Sequence, residues 1–347
     1  MAAIRAKKVK KGLNFSIMIV GASGLGKSTF VNTLCDGVVF PKKDYPSSDK
    51  LTFEKTVVIT PVNVELDLDG VKLSLSVVDT PGFGDNINNE ACFNQIIAYI
   101  DKQFDDVLGE ESRIKRNPKF IDNRVHACLY FIPPTGHALR ELDIEFMRKL
   151  GPKVNIIPVI AKADTLSPQE LIDFKKRVVE DLSYYKIPTY SFPYDEEEDD
   201  EETIEENQHL RSLIPFSIIG ADETITEGNR RIRCRQYQWG RVEVDNPLHC
   251  DFDTLRHALL ISHLNDLKEI TNDVLYENYR TEKLSHIKDD DLDDGASGHG
   301  MDEVMLQKGL LRREEERLRQ ELALRQQQLK NLEARLSASQ TNIAGQD

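Results

Sequence analysis

Gly21-Ala22-Ser23-Gly24-Leu25-Gly26-Lys27-Ser28 fits the phosphate-loop pattern G-x-x-x-x-G-K-[ST] without a mismatch. Before it, Phe15-Ser16-Ile17-Met18-Ile19-Val20 is an apolar, β-leaning run that reads as a buried strand. After it, Thr29-Phe30-Val31-Asn32-Thr33-Leu34 reads as the start of a helix. Strand, Gly-rich loop and helix are the setting this motif needs. The glycines let backbone N–H groups curl around phosphate oxygens, and the helix N-terminus adds partial positive charge. In this pattern Lys27 reaches the β- and γ-phosphates and the Ser28 hydroxyl holds Mg²⁺. A Gly-rich turn matching by chance explains neither flank.

Working outward, residues 40–49 are polar, contain two prolines and read as a loop. Thr56 to Thr60 and Val62 to Leu68 alternate as strands do, Asp69-Gly70 signals a hairpin, and Val71 to Val78 returns. The return strand ends in Asp79-Thr80-Pro81-Gly82, a D-x-x-G. In phosphate-loop enzymes such an Asp approaches Mg²⁺, here expected through water, and the Gly amide contacts the γ-phosphate. Phe83 follows, where small signalling GTPases place a water-orienting Gln. Hydrolysis is therefore expected to be slow.

Helices are expected over Asn89–Leu108 and Glu141–Leu150, and buried strands over His126–Ile132 and Val154–Ile160. The last of these delivers Ala161-Lys162-Ala163-Asp164. Guanine-binding proteins carry N-K-x-D there. The Asp accepts from guanine N1–H and its exocyclic amine, donors that adenine does not offer in that arrangement. Ala161 replaces the usual Asn, but Lys162 and Asp164 stand. Ser167-Pro168 opens a helix running to about Tyr185. Ile214–Ile219 reads as the final core strand and ends at Gly220, where a missing side chain lets the backbone approach a base. Apolar strands alternating with helices give a doubly wound, mostly parallel α/β domain over about residues 12–285.

Composition narrows the function classes. The 347 residues carry a formal net charge of -14, which disfavours general nucleic-acid binding. Lys7, Lys8, Lys10 and Lys11 nevertheless cluster before the first strand, and Asp195 to Glu206 is nearly all acidic. The bland readings are a solvated terminus and a solvated face; the sharper reading of the lysines is contact with anionic lipid. The five cysteines have no metal-ligand spacing and fit reduced thiols. No apolar run approaches the length of a membrane span and no signal peptide is apparent, so membrane contact is expected to be peripheral.

Past Gly220 the chain leaves the small-GTPase pattern. Arg230 to Val244 reads as short strands, and helices follow near Asp251–Leu267 and Lys268–Leu284. Gly24-Leu25-Gly26-Lys27-Ser28-Thr29, Asp79-Thr80-Pro81-Gly82-Phe83-Gly84-Asp85, Ala161-Lys162-Ala163-Asp164 and Tyr237…Trp239-Gly240 together resemble the septin family. The likeness runs from the basic segment to about residue 285, and is nearest the fungal septins of terminal-subunit type. It implies a phosphate-loop GTPase domain with a septin-type β-meander and a C-terminal coiled coil. It implies a GTP-binding, slowly hydrolysing scaffold subunit that joins hetero-oligomers and filaments in cell division and morphogenesis. The place implied is the cytoplasm and cytoskeleton at the cell cortex, at the bud neck or septum.

By position, the resemblance assigns GTP contacts to Gly21, Ala22, Ser23, Gly24, Leu25, Gly26, Lys27, Ser28 and Thr29. It adds Thr56, Asp79, Gly82, Lys162, Ala163, Asp164, Thr165, Glu170, Gly220 and Arg235. Thr56 matches the switch threonine of hydrolysing septins; with Lys27 it would carry catalysis, and with Ser28 and Asp79 it would hold Mg²⁺. His137 is similar to a residue that reaches into a neighbour's site, and Trp239 to an interface residue. A turn histidine and an ordinary core tryptophan are the bland alternatives. Lys7 to Lys11 match the family's phosphoinositide-binding segment.

The expected organisation is a basic segment (1–11), the GTP-binding domain (12–285), an acidic, Gly-containing linker (286–303), a coiled coil (304–337) and a tail (338–347). In the coiled coil, Val304, Leu311, Leu318, Leu322, Leu329, Leu332 and Leu336 form a heptad seam, with Lys308, Glu315 and Arg325 breaking it. Polar seam positions set partner choice, so a heteromeric partner helix is expected. Two other readings stand beside this one. One is a structural septin that keeps GTP unhydrolysed, against which Thr56 speaks. The other is a monomeric signalling GTPase, against which Phe83, the β-element and the coiled coil speak.

Overall fold

The computed structural model describes residues 13–41, 59–68, 70–80, 83, 89–115, 117–118, 120–197, 199–227 and 230–290. The chain divides into two units, Met1–Leu284 and Ser285–Asp347. The basic segment Lys7–Lys11, Thr56, Gly82 and the heptad seam lie outside the described residues.

A six-stranded sheet organises the first unit. Its strands are β1 (Leu13–Gly21), β2 (Thr60–Leu68), β3 (Val71–Asp79), β4 (Ala127–Ile132), β5 (Ile156–Ile160) and β6 (Phe216–Ser217), in the order β2-β3-β1-β4-β5-β6. All neighbours are parallel except β2 and β3, the expected hairpin. Gly70 turns it at φ +84°, a left-handed value that suits glycine, and its N–H donates to Asp67 Oδ1. β1 sits at the centre, where the order reverses. In such sheets the crevice beyond the strand C-termini takes the ligand.

Strand alternation sends β1 side chains to two cores. Phe15, Ile17 and Ile19 pack with Phe30, Val31 and Leu34 of α1 (Lys27–Leu34) and with Phe252, Leu255 and Leu259. Met18 and Val20 face the other way, toward α2 (Glu90–Glu111), α3 (Glu141–Leu150) and α4 (Pro168–Tyr184). Both faces of the sheet are thus covered, as a parallel sheet requires. α5 (Glu201–Leu213) takes up the second half of the acidic run and buries only Asn207 and Leu210, so the run is a solvated helix face. Among the described residues no cluster of His, Cys, Asp or Glu could hold a metal, and none of the helices is long and apolar enough to cross a membrane.

Three expectations need correcting. The last core strand is expected over Ile214–Ile219, but only Phe216–Ser217 pairs as a ladder: Pro215 before it has no N–H to donate, and its partner β5 ends at Ile160. Past it, Ile218 bonds singly, its N–H to Ile160 O and its carbonyl to Ala163 N. The strands expected at Thr56–Thr60 and Val62–Leu68 are, where described, one strand from Thr60. The pair of C-terminal helices is a segmented run: α6 (Phe252–His257), a π-helical turn (Ala258–Ser262), α7 (Leu264–Ile270), a second π turn (Thr271–Tyr276) and α8 (Glu277–Asp290). The run carries Leu255, Leu259 and Leu267 into one core and Leu275, Tyr276 and Tyr279 into the other. A regular 3.6-residue helix keeps one stripe in register; the π turns let this run bury different sides.

A three-stranded antiparallel sheet follows the main one: β7 (Thr224–Glu227), β8 (Arg230–Tyr237) and β9 (Gly240–Glu243). The Arg233 guanidinium ties it to α1 by donating to Thr33 O at 2.7 Å, and pairs with Asp245 at 2.8 Å.

Candidate functional site: a nucleotide crevice with two unlike ends

Register brings the distant motifs together. Ile19 of β1 pairs with Asp79 of β3, and Gly21 pairs with Phe131 of β4. β5 and β6 pair through Ile160 and Ser217, so Lys162 to Asp164 and Gly220 leave the sheet on the same edge. Gly21 is glycine for space: a Cβ there would lie 2.7 Å from Phe131 Cβ.

At the phosphate end, Gly26 has φ +84° and caps α1 with no side-chain hydrogen bond. The first turn of α1 contains no acid. Its amides and partial positive charge are therefore directed at the loop, an anion-binding arrangement. Lys27 is buried, and its Nζ donates to Gly21 O at 3.0 Å and Ala22 O at 2.8 Å. These bonds fold the ammonium over the loop. The loop is also held from β3's side, since Ser23 N donates to Phe83 O at 3.1 Å. Ser28 Oγ donates to Asp79 Oδ2 at 3.2 Å. A hydroxyl and a carboxylate side by side are hard oxygen donors. Mg²⁺ in such sites takes few protein oxygens and completes its shell with phosphate and water. The residues fit that ion.

Phe83 faces elsewhere. It is buried against Phe93 at 5.2 Å and Phe146 at 5.4 Å, both edge-on, in the core beneath the crevice.

At the base end, Lys162 adopts φ 48° and ψ 47°, left-handed values rare for a residue with a Cβ. A short 3₁₀ turn, Ala163–Thr165, follows and is closed by Thr165 Oγ1 donating to Lys162 O at 2.8 Å. The Asp164 side chain is 1% exposed. Its Oδ2 accepts from the Tyr237 hydroxyl and from Arg235 Nη1 at 3.3 Å; its Oδ1 is buried with no hydrogen-bond partner among the described residues. A buried carboxylate oxygen without a donor is costly. A base presenting two adjacent N–H groups would supply donors to this carboxylate, so the residues fit guanine. Burial, then the bond to Asp164, pushes the Tyr237 hydroxyl above its usual pKa. Leu25, Gly26, Thr29, Lys162, Gly220 and Arg235 line a cavity of about 20 Å³, room for about one water. Gly220 lies so close to α1 that a Cβ would come 3.1 Å from Phe30 N.

Glu170 stands apart from its expected role. Its Oε2 accepts from Ser167 N at 2.9 Å and Ser167 Oγ at 2.8 Å, which makes it half of the capping box that starts α4. Trp239 is 84% exposed on the two-residue turn between β8 and β9, which overturns the core reading. Its ring stacks on Tyr237 at 5.0 Å and 8°. His137 is exposed just past Gly136, with its N–H directed at Thr135 Oγ1 at 3.5 Å.

Arg233 and Tyr237 are given no role by motif reading. Strand alternation could have found them: in β8, Arg233, Arg235 and Tyr237 fall at i, i+2 and i+4, on one face.

A model of the septin family matches residues 11–292. The chain belongs to the septin family. The septin homolog spn3 of Schizosaccharomyces pombe is 47% identical over 97% of this chain and 94% of its own length. Cell division control protein 11 of Saccharomyces cerevisiae is 48% identical over 82% of this chain and 70% of its own. Septin-2 of Rattus norvegicus is 47% identical over 81% and 77% respectively. The crystal structure of Cdc11 from Saccharomyces cerevisiae superposes with a TM-score of 0.54 at 40% identity, covering 78% of this chain and all of that one. The fold is thus a septin GTPase domain of the α/β phosphate-loop type. As a septin, the chain is a guanine-nucleotide-binding subunit of the cell-division cytoskeleton that assembles with other septins.

Proposed function

We propose that this septin binds GTP with Mg²⁺ in the crevice and hydrolyses it slowly, so that the nucleotide tunes subunit interfaces rather than driving rapid turnover. The observation that carries this reading is the pairing of Ser28 Oγ with Asp79 while Phe83 points into the core. Ser28 and Asp79, with Thr56, would hold the ion, which when bound neutralises charge developing on the phosphates. Lys27 would hold the β- and γ-phosphates, and the Gly82 amide the γ-phosphate. Asp164, flanked by Lys162, Ala163, Thr165 and Gly220, would accept from guanine. With Phe83 turned into the core where a water-orienting Gln would stand, a single-turnover rate at or below the order of 10⁻⁴ s⁻¹ is expected, since that is the unassisted rate of a phosphate-loop GTPase that has the Gln. Timed release of phosphate from GTP-loaded protein, with Thr56→Ala alongside, tests it. Slow release in the wild type and none in the variant is expected. No release from either would leave a structural septin that keeps its GTP.

Assembly completes the proposal. His137 and the exposed Trp239 supply interface contacts, and the heptad seam pairs with a helix of another septin. Lys7, Lys8, Lys10 and Lys11 hold the filament to anionic lipid at the cell cortex, at the division site. Light scattering separates this from a monomeric switch: with partner septins present, a chain that stays monomeric contradicts it. Neutralising the four lysines should weaken binding to anionic vesicles.

A further inference from the structure

A carboxylate oxygen has two lone-pair sites. Both sites of Asp164 Oδ2 are taken, by Tyr237 and by Arg235, and both donors come from the same face of β8. Guanine offers two donors to one carboxylate and needs both of its oxygens. Oδ1 is buried and holds no donor among the described residues, so it can accept once the site opens, but Oδ2 accepts a second donor only if one of the present donors leaves. The neighbouring cavity lined by Lys162, Gly220 and Arg235, about 20 Å³, is far smaller than a purine, so this end of the crevice must open to admit one. Tyr237 is the donor placed to move. It ends β8, next to the two-residue turn, whereas Arg235 lies deeper, paired with Val242 of β9. Tyr237 does not move alone, because the exposed Trp239 ring is stacked on it.

We propose that Tyr237 is a latch on the base site: its hydroxyl holds Asp164 until guanine displaces it, and its release carries Trp239 to a new position on the surface. The latch rests on the reading of Asp164 as the guanine acceptor. It makes the base end a gate in competition with the nucleotide, and couples occupancy of the crevice to a large exposed aromatic ring. The hydroxyl contributes to the closed arrangement only, so its removal favours binding.

The test uses the full-length chain and GDP with Mg²⁺, followed by calorimetry and by the emission of Trp239, the sole tryptophan of the sequence. Tyr237→Phe keeps the ring and its stacking and removes only the hydroxyl. A hydrogen bond to a charged group corresponds to roughly a tenfold effect or more. Tyr237→Phe is expected to bind GDP about tenfold more tightly through faster association, and wild-type Trp239 emission is expected to change with GDP but not ADP. Binding that is measurable only in Tyr237→Phe also supports the latch. Equal or weaker binding by the variant overturns it, as does absence of binding by either protein or an unchanged emission at saturation. Asp164→Ala separates the two layers. If it abolishes GDP binding while Tyr237→Phe is neutral, the latch alone fails; if it leaves GDP binding intact, the base-site reading fails and the latch with it.

Discussion

The two ends of the crevice are built from the same sheet edge but to different standards of readiness. At the phosphate end, one contiguous octapeptide supplies loop, helix N-terminus, lysine and hydroxyl. Asp79 is delivered beside it by the β1–β3 register, and its bond to Ser28 spans 3.2 Å. The loop and helix amides already face an anion there, and the exchange required is at Lys27, whose ammonium is held by Gly21 O and Ala22 O. At the base end, Asp164 takes donors from a second sheet more than seventy positions on in sequence, and the cavity lined by Lys162, Gly220 and Arg235 admits about one water. On the proposed reading, affinity comes from the phosphate end, and selectivity and its timing from the base end, where guanine would have to replace bonds already made.

That contrast can be broken by substitution, and the phosphate end should show the largest effect. Lys27→Ala removes the only side-chain cation of the loop and should cut GTP affinity by about a hundredfold, about 3 kcal/mol at the upper range for bonds to a charged group. Wild-type affinity in the variant, measured by calorimetry, would remove the loop from phosphate binding. A site remote from both ends serves as a control on fold stability. His126 stacks on Phe15 and accepts from Ser16 N at 2.9 Å, and burial pushes its pKa down to about 4. The folded chain therefore resists protonation that the unfolded chain accepts near pH 6.5. Its stabilising contribution is whole above pH 6.5 and declines as pH falls toward 4, by about 3 kcal/mol in all. Denaturant melts across that window should show this slope, and His126→Gln should flatten it. An unchanged slope would mean that His126 titrates freely.

Smaller effects belong to the base end. Asp164→Asn keeps one carbonyl acceptor and loses the charge, so the preference for GTP over ATP should fall about tenfold. Unchanged selectivity would take Asp164 out of base recognition. Gly220→Ala sets a methyl 3.1 Å from Phe30 N and 3.2 Å from Thr29 Cγ2, contacts that a few tenths of an ångström of movement would relieve. It should weaken guanine nucleotide binding only severalfold, with little change in the melting midpoint. A larger loss of stability than of affinity would mean that Gly220 serves packing rather than the base.

How much of this could be read from the sequence follows from how local each feature is. The phosphate loop, the β2–β3 hairpin, α3 and the start of α4 rest on neighbouring residues, and patterns of strands and caps capture such features. The fold class followed from apolar strands between amphipathic helices. The π turns at Ala258–Ser262 and Thr271–Tyr276 were hidden, because leucines spaced for a regular helix do not reveal that the run must pass from one core to the other. The shortness of β6 is set by where its partner β5 ends and by Pro215 before it, which a run of apolar residues does not encode. Glu170 is an instructive case: with Ser167 it spells the S-x-x-E capping box, and its carboxylate is used there. The hold of Tyr237 on Asp164 depends on where a second sheet docks, so only the alternation along β8 hinted at it.

The most direct measurement is the identity of the nucleotide released when freshly purified protein is denatured, resolved by chromatography. A guanine nucleotide is expected, and GDP as the main species would record slow hydrolysis at the Ser28–Asp79 site. An adenine nucleotide would contradict the guanine reading of Asp164.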